Sequence, residues 1–311
     1  MNAVVISEFM EEEALEAFPP GLGLLYDPTL VEDRARLLAA VREAESVIVR
    51  NRTQVDGALL AAAPALKVVG RLGVGLDNID MDACRARDVA VYPATGANSA
   101  SVAEYVIAAA LILLRGAFAA TPQVLAGAWP RQALKGHEIS GRVMGLVGYG
   151  NVARAVAERA RALGMRVAAY DPFLPSDHRA WSATERLALK PLLAAADVVS
   201  LHVPLNDETR GLIDADSLAL MKPGAILINT ARGGIVEEAA VAAALASGRL
   251  GGAALDVFEE EPLSAATAAH FQGLERLILT PHIAGVTEEA NARVSRLTVE
   301  NVMRGLGLLD G

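Results

Sequence analysis

The sequence predicts an α/β protein built from two doubly wound parallel-sheet domains. Short apolar runs rich in β-branched residues alternate along the chain with Ala/Leu/Arg stretches of helical period. This alternation is typical of parallel sheets that are covered by helices on both faces. The chain has 311 residues, of which 53% are hydrophobic, and this length and composition suit two cores rather than one.

The candidate strands fall into two series. The first series comprises Val4–Ser7, Val47–Arg50, Val68–Gly70 and Val89–Tyr92. The second series comprises Val143–Val147, Arg166–Tyr170, Val198–His202, Ala225–Asn229, Gly252–Leu255 and Leu277–Leu279. Two series of strands indicate two sheets, and therefore two domains.

Two long helices are predicted to connect the domains. Ser101–Arg115 is rich in Ala, Leu and Ile and apolar nearly all round, so we expect a buried helix that crosses between the domains. The last helix, about Glu288 to Leu306, follows the second series and returns to the first domain. The predicted split is residues 1–98 with 286–311 for one domain and residues 99–285 for the other.

Composition and charge exclude several classes of protein. The formal net charge of −9 argues against binding of nucleic acid, which needs a basic face. The single cysteine, Cys84, excludes an intrachain disulfide and a Cys-based metal site, and we predict no metal. The first residues form no basic segment, and the longest apolar run, Val106 to Leu114, is too short to span a bilayer. We therefore expect a cytoplasmic protein without nucleic-acid or membrane partners.

The strongest single motif follows the first strand of the second series. Gly148 and Gly150 begin a G-x-G-x-x-A pattern between a predicted strand and a predicted helix. Gly148 permits a tight turn, and Gly150 lets a pyrophosphate approach the free N–H groups at the start of the helix. The pattern predicts a dinucleotide site, with Asn151 and Val152 at the N-terminus of that helix.

An acid stands at the end of the next strand. Asp171 lies 21 residues after Gly150, near the spacing of about 20 residues expected of the carboxylate that binds the ribose hydroxyls of NAD. A carboxylate in this position repels the additional phosphate of NADP, and the nearest downstream cation, Arg179, is too far along the chain to reverse that preference. We therefore predict NAD as the cofactor.

Several separated motifs resemble those of the D-isomer-specific 2-hydroxyacid dehydrogenases over almost the whole chain. Besides the glycine pattern they are residues 70–80 (GRLGVGLDNID), 98–104 (NSASVAE), 229–234 (NTARGG), 254–262 (ALDVFEEEP) and 280–285 (TPHIAG). The branches that look most similar are 3-phosphoglycerate dehydrogenase, without its regulatory extension, and sulfolactate dehydrogenase. The resemblance implies a Rossmann NAD-binding domain, residues 99–285, inserted in a flavodoxin-like substrate domain, residues 1–98 and 286–311.

The resemblance assigns the chemistry to three residues. His282 is expected to donate the proton that reduction of a 2-keto acid requires, because the unperturbed pKa of an imidazole lies near neutral pH. Glu261, rather than its neighbours Glu259 and Glu260, is expected to hold the imidazole ring. Arg232 is expected to bind the substrate carboxylate and polarise the carbonyl, since a guanidinium is planar and always charged.

The resemblance also implies contacts to the cofactor and a carboxylate-binding loop. Further cofactor contacts are expected from Val74, His202, Val203, Thr230, Asp256 and Gly285, with His202 contributing its backbone. The backbone N–H groups of Leu72, Gly73 and Val74 match a family loop that cradles the substrate carboxylate, where small residues allow close approach.

Three arginines are candidates for binding a second anionic group on the substrate. Arg50 and Arg71 match family positions that bind the charged tail of 3-phosphoglycerate. Arg52 adds a cation that faces the same way as Arg50 if the segment is extended, and two guanidiniums suit a phosphate- or sulfonate-bearing tail. The alternative is a solvated pair of surface arginines.

The expected function is that of an NAD-dependent oxidoreductase that interconverts a small acidic 2-hydroxy acid and its 2-keto acid by hydride transfer, in a cleft that closes between the domains. We expect the substrate to carry a second anionic group, as 3-sulfolactate and 3-phosphoglycerate do, and the alternative is a general glyoxylate or hydroxypyruvate reductase. A second class, an NAD-sensing corepressor-like binding protein, shares the fold. The apolar crossing helix favours a homodimer.

Overall fold

A computed structural model describes residues 3–309. The strands are β1 Val4–Ile6, β2 Leu24–Tyr26, β3 Ser46–Val49, β4 Val68–Arg71, β5 Ala90–Pro93, β6 Val143–Val147, β7 Arg166–Tyr170, β8 Glu185–Arg186, β9 Val198–Leu201, β10 Ala225–Asn229, β11 Leu250–Leu255 and β12 Leu277–Leu279. The α-helices are α1 Arg34–Ala40, α2 Gly57–Ala62, α3 Met81–Ala86, α4 Ser99–Arg115, α5 Thr121–Leu125, α6 Asn151–Ala162, α7 Leu189–Ala195, α8 Ala215–Leu220, α9 Glu238–Ala246 and α10 Glu288–Gly305. Short 3-10 helices cover Glu12–Ala17, Pro28–Glu32, Val41–Glu43, Ala117–Ala120, Arg179–Ala183 and Thr267–Phe271.

The chain divides into two compact units, of which unit 1 comprises residues 1–98 and 286–311. Its sheet has the parallel order β2-β1-β3-β4-β5, which is the flavodoxin-like order. Helices α1, α2 and α3 each begin after an aspartate, Asp33, Asp56 or Asp80, whose carboxylate accepts a backbone N–H of the first turn. One face of the sheet packs on Val299 and Val302 of α10, which are buried.

Unit 2 comprises residues 99–285. Its sheet has the parallel order β12-β11-β10-β9-β6-β7-β8. This is the doubly wound order of a Rossmann domain, with β6 as its first strand and β12 added beyond the sixth. Helix α4 packs against α6, β10 and β11 of the same unit, so its apolar side chains complete the core of this sheet.

The structure confirms the predicted fold class and shows where the sequence pattern is weak. The predicted bounds of β6, β7, β10 and β12 agree with the structure, because these are continuous apolar runs. Strands β2 and β8 were not predicted. The side chains of β2 are half-buried and those of β8 are exposed, so neither strand carries the apolar run of a central strand. Helix α4 begins at Ser99, two residues earlier than predicted.

The segment that follows α4 carries several exposed apolar residues. We call residues 117–135, which follow α4, the apolar arm. Just after the arm the chain returns to the end of α4, where the His137 N–H donates to the Leu114 carbonyl at 2.9 Å. Exposed side chains of the arm are Phe118, Val124, Leu125 and Trp129. Within residues 3–309 no single helix is long and apolar enough to cross a membrane, and only α4 taken together with Ala117–Leu125, bent by 66°, reaches that length and composition.

Candidate active site

The three predicted catalytic residues lie after three neighbouring strands of unit 2. Arg232 follows β10, Glu261 follows β11 and His282 follows β12, and these strands pair in parallel in that order. The carboxyl ends of parallel strands meet at one edge of a sheet, where ligands of doubly wound proteins bind. The topology therefore brings residues that are up to 50 positions apart in sequence to a common edge.

The imidazole of His282 is held by the predicted acid. His282 Nδ1 lies 2.7 Å from Glu261 Oε2, and Glu261 Oε1 accepts the Phe258 N–H at 3.0 Å. The His282 and Glu261 side chains are 47% and 35% exposed, so the pair is open to a ligand. Because Nδ1 is engaged by the carboxylate, Nε2 is the ring nitrogen that can serve a substrate.

A second, buried carboxylate holds the turn that carries His282. The His282 backbone has a φ of +52°, a left-handed conformation that is uncommon outside glycine. Its N–H donates to the Asp256 carbonyl at 2.8 Å, and the Asp256 carboxylate accepts the N–H groups of Ile283 and Ala284, both at 2.8 Å. Asp256, predicted as a cofactor contact, is 1% exposed, and the structure uses both its oxygens to shape this turn.

The sequence analysis missed a chain of hydroxyl groups that leads to Asp256. Thr280 Oγ1 donates to Asp256 Oδ1 at 2.6 Å and lies 2.6 Å from Tyr105 Oη. Since the one hydroxyl proton of Thr280 is directed to Asp256, Tyr105 donates to Thr280. Burial raises the pKa of Tyr105, so this phenol stays a donor. The chain links helix α4 to the His282 turn, a long-range contact that no local pattern signals.

Arg232 lies in a loop that packs directly on the loop of the acid. A Cβ on Gly233 would come within 1.7 Å of the Phe258 carbonyl oxygen, so only glycine fits there. The Arg232 carbonyl accepts the side-chain amide of Asn229 at 2.9 Å, and Arg232 Nη1 donates to the Ala231 carbonyl at 2.6 Å. The arginine that is predicted to bind a carboxylate and the acid that orients the imidazole are thus carried by backbones in van der Waals contact.

The glycine pattern forms the predicted turn between β6 and α6. Gly148 has a φ of +85°, and a Cβ there would lie 2.5 Å from the His202 carbonyl oxygen. Gly150 caps α6 without a side chain, and the space around it is open. Asp171 Oδ2 accepts the Tyr149 N–H of this turn at 2.8 Å. The acid and the start of the helix are therefore parts of one site.

These features fit a bound dinucleotide. The first N–H groups of α6 receive no side-chain cap from Gly150, which leaves them for an anion. Thr230 Oγ1 is buried and lacks a hydrogen-bond partner among the described residues, as expected of a hydroxyl that awaits a ligand. Of the other predicted cofactor contacts, Asn151 and Val74 are exposed, and Val152, Val203 and Gly285 are half-buried.

His202 is a neutral member of this site. Its Nε2 lies 3.0 Å from Ser200 Oγ. Burial lowers the pKa of His202 to about 3, so the ring carries no charge at neutral pH. This property suits its predicted role, which uses the backbone rather than the ring.

In unit 1 the loop that is predicted to bind the substrate carboxylate uses two of its three N–H groups internally. The Leu72 N–H donates to the Val49 carbonyl at 2.8 Å, and the Gly73 N–H donates to the Arg71 carbonyl at 2.8 Å. Arg71 Nη1 in turn donates to the Leu72 carbonyl at 2.8 Å. With two of the three predicted donors engaged inside unit 1, Val74 is the remaining candidate.

The two arginines after β3 have different partners. Arg50 Nη2 donates to Asn291 Oδ1 at 3.2 Å, and its guanidinium lies over the ring of Phe9, 5.8 Å from the ring centre. Arg52 forms an exposed ion pair with Glu32 at 2.6 Å. The segment bends after β3 instead of continuing as an extended strand, so the expectation that both side chains point the same way does not hold.

A family model agrees with the site in unit 2. The model described as "D-isomer specific 2-hydroxyacid dehydrogenase, NAD binding domain" matches residues 107–284. This range contains the glycine turn, Arg232, Glu261 and His282. It ends one residue before the boundary of unit 2.

Known proteins resemble the chain over most of its length. An (S)-sulfolactate dehydrogenase of Chromohalobacter salexigens is 59% identical over 309 residues, 99% of both chains. A D-3-phosphoglycerate dehydrogenase of Mycobacterium tuberculosis is 44% identical over 274 residues, which are 88% of this chain but 51% of that protein. This chain therefore spans about half the length of the second relative.

A solved structure extends the similarity to the fold. A D-lactate dehydrogenase from Aquifex aeolicus, complexed with NAD and lactic acid, has a TM-score of 0.82 and 28% sequence identity, covering 98% of this chain and 96% of that one. Its dinucleotide agrees with the cofactor that the glycine turn and Asp171 fit here. The chain therefore belongs to the D-isomer-specific 2-hydroxyacid dehydrogenases and is an NAD-dependent enzyme that interconverts a 2-hydroxy acid and its 2-keto acid.

Proposed function

We propose that the substrate carries a second anionic group besides the carboxylate next to the reacting carbon, and that 3-sulfolactate and 3-sulfopyruvate are the physiological pair. The observation that carries this proposal is the setting of Arg50. Its guanidinium has two neutral partners, the amide oxygen of Asn291 and the ring of Phe9. Such partners orient the cation without neutralising it, so its charge stays available to an anion.

Arg52 provides the contrast that favours a sulfonate over a phosphate. Its charge is balanced by Glu32 in an exposed pair. Arg50 is therefore the arginine of this loop whose guanidinium has neutral partners, and a single such cation suits a singly charged sulfonate better than a doubly charged phosphate. The similarity to the Chromohalobacter (S)-sulfolactate dehydrogenase supports the same choice.

In this proposal His282 donates or removes the proton that accompanies hydride transfer. When bound, NAD supplies the hydride or accepts it. In the reducing direction, His282 Nε2 donates a proton to the keto oxygen, which becomes the hydroxyl group. Glu261 Oε2, 2.7 Å from Nδ1, accepts the hydrogen bond of the Nδ1–H group and stabilises the charged ring until Nε2 donates its proton. In the oxidising direction, the same nitrogen removes the hydroxyl proton.

The carboxylate is held by Arg232, whose planar guanidinium also polarises the neighbouring carbonyl. The Val74 N–H is the proposed backbone donor, since the N–H groups of Leu72 and Gly73 are engaged. For the dinucleotide we propose the α6 N-terminus for the pyrophosphate, Asp171 for the ribose hydroxyls and the orphan Thr230 hydroxyl as a further contact.

The test is NADH oxidation with 3-sulfopyruvate, phosphohydroxypyruvate, hydroxypyruvate, glyoxylate and pyruvate at matched concentrations. We expect kcat/KM to be highest for 3-sulfopyruvate, and higher for both compounds with a second anion than for the other three. A higher value for hydroxypyruvate or glyoxylate would instead identify a general reductase and refute the tail assignment. NADPH in place of NADH tests Asp171, and we expect it to be the poorer cofactor.

We further propose that the protein is a cytoplasmic homodimer and that the apolar arm forms its contact. Leu125 and Trp129 are 83% and 75% exposed, and a cluster of exposed apolar side chains on one segment is typical of an interface. Helix α4 packs within unit 2 but leaves Ile112 40% exposed, so we propose it as a further part of this contact. Sedimentation of Leu125→Asp is expected to give a monomer, whereas an unchanged dimer would exclude the arm.

A further inference from the structure

The loop that carries Arg50 is built around a buried acid that no part of the mechanism uses. Glu8 lies two residues after β1 and is 4% exposed. Its Oε1 accepts the N–H groups of Arg50 and Thr53 at 2.8 and 2.9 Å, and its Oε2 accepts those of Arg52 and Asn51 at 3.1 and 3.3 Å. Four consecutive backbone N–H groups therefore converge on one carboxylate.

The hydrogen bonds to Glu8 fix the conformation of this loop. A buried carboxylate is unfavourable unless donors surround it, and here the donors are the loop backbone itself. Two further contacts fasten the end of the loop. Ser7 Oγ lies 3.0 Å from Thr53 Oγ1, and the Asn78 side-chain amide donates to the Thr53 carbonyl at 2.6 Å. The chain is thereby held in a bend after β3.

The bend after β3 sets the position of the Arg50 backbone, from which its side chain extends. The Arg50 N–H donates to Glu8. Phe9, which follows Glu8 in the sequence, provides the ring over which the Arg50 guanidinium lies. The neighbouring residues Glu8 and Phe9 thus contact the backbone and the guanidinium of Arg50, respectively. The Asn291 amide oxygen, at 3.2 Å from Nη2, completes the support.

We infer that Glu8 is a positioning residue for the anionic tail of the substrate and acts through Arg50. The inference rests on the proposed function, in which Arg50 binds the tail. Glu8 takes no part in the hydride or proton step. Its contribution is selective, because only a substrate with a second anion gains from a correctly placed Arg50 guanidinium.

The test is Glu8→Gln, which keeps the size of the side chain but presents an NH₂ group to N–H groups that need an acceptor. We expect KM for 3-sulfopyruvate to rise about tenfold, with kcat within about twofold. KM for pyruvate is expected to stay within about twofold, since pyruvate has no tail. Glu8→Asp retains the charge on a shorter side chain and is expected to give a smaller rise in KM for 3-sulfopyruvate.

Arg50→Ala and the double variant separate this inference from the proposed function. If Glu8 acts through Arg50, Glu8→Gln adds nothing to the KM of Arg50→Ala. An equal rise for pyruvate and 3-sulfopyruvate, or independent effects in the double variant, would overturn the inference. So would an Arg50→Ala effect on 3-sulfopyruvate that neither Glu8 variant reproduces. An Arg50→Ala variant with unchanged KM for 3-sulfopyruvate would instead refute the tail assignment itself.

Discussion

Two loops, one in each unit, are held in the same way and carry different kinds of side chain. In unit 1 the Glu8 carboxylate accepts the N–H groups of residues 50–53. In unit 2 the Asp256 carboxylate accepts two N–H groups and a hydroxyl from residues 280–284. Both acids are buried, and both loops follow a strand of a parallel sheet.

The side chains on these loops differ in the partner that supports them. His282 lies against a carboxylate, Glu261, which suits a group that must gain and lose a proton. Arg50 lies against an amide oxygen and an aromatic ring, which suits a group whose charge must remain available. Under the proposed roles, the same arrangement of backbone hydrogen bonds supports proton transfer where the adjacent partner is charged and substrate binding where it is neutral.

The largest effect is expected from removing the proposed proton donor. His282→Ala is expected to lower kcat by about 10²- to 10⁴-fold, because a positioned general acid contributes that much. The KM for NADH is expected to change little. Stopped-flow measurement of NADH oxidation tests both, with the exposed His137→Ala as control. Retention of more than about a tenth of the rate would show that another group donates the proton.

A smaller loss is expected from the buried acid of the same turn. Asp256→Asn places an NH₂ group against the N–H groups of Ile283 and Ala284, so we expect the free energy of unfolding to fall by about 1–3 kcal/mol. We expect kcat to fall by about tenfold as the imidazole is displaced. Urea denaturation and steady-state kinetics measure the two effects, with the exposed Asp207→Asn as control. A loss of stability without a loss of kcat would leave Asp256 with a purely structural role.

Arg50 and Arg52, on the loop held by Glu8, offer a matched pair of variants. Arg50→Ala is expected to raise KM for 3-sulfopyruvate by about tenfold, the effect of losing one charge-assisted contact. Arg52→Ala is expected to change it by less than about twofold, because the neighbouring Glu32 carboxylate offsets the charge of Arg52 at the substrate. Steady-state kinetics with 3-sulfopyruvate and pyruvate compare the two variants. Equal effects would mean that both cations face the substrate.

The smallest effect concerns His202, whose ring nitrogen is hydrogen-bonded to the Ser200 hydroxyl. The pKa of His202 is about 3 in the folded protein and about 6.5 when unfolded. The unfolded state therefore binds more protons below pH 6.5, and folding loses stability as the pH falls from 6.5 toward 3. Between pH 7.5 and 6 this amounts to about 0.8 kcal/mol. Urea denaturation of wild type and His202→Gln at both values measures the difference, and equal pH dependences would contradict it.

Sequence reasoning was most successful where apolar runs and motif spacing carried the information. It predicted the two sheets and the glycine turn. Through family resemblance it also predicted the contact between Glu261 and His282. It missed Glu8, although an acid directly beyond a fully buried strand was a usable signal. It also missed Tyr105 and Thr280, whose contact joins positions 175 residues apart. The bend after β3 was invisible because its cause, Glu8, is 42 residues upstream of Arg50.

The hydrogen bonds between Glu8 and its loop have a consequence for the evolution of substrate preference. The carboxylate contacts backbone N–H groups, which every amino acid except proline supplies. Side chains at positions 50–52 can therefore be exchanged while the loop keeps its course. Substrate preference becomes a property that mutation can sample at little cost to folding, and a library with all residues but proline at these positions is the natural starting point for redesign.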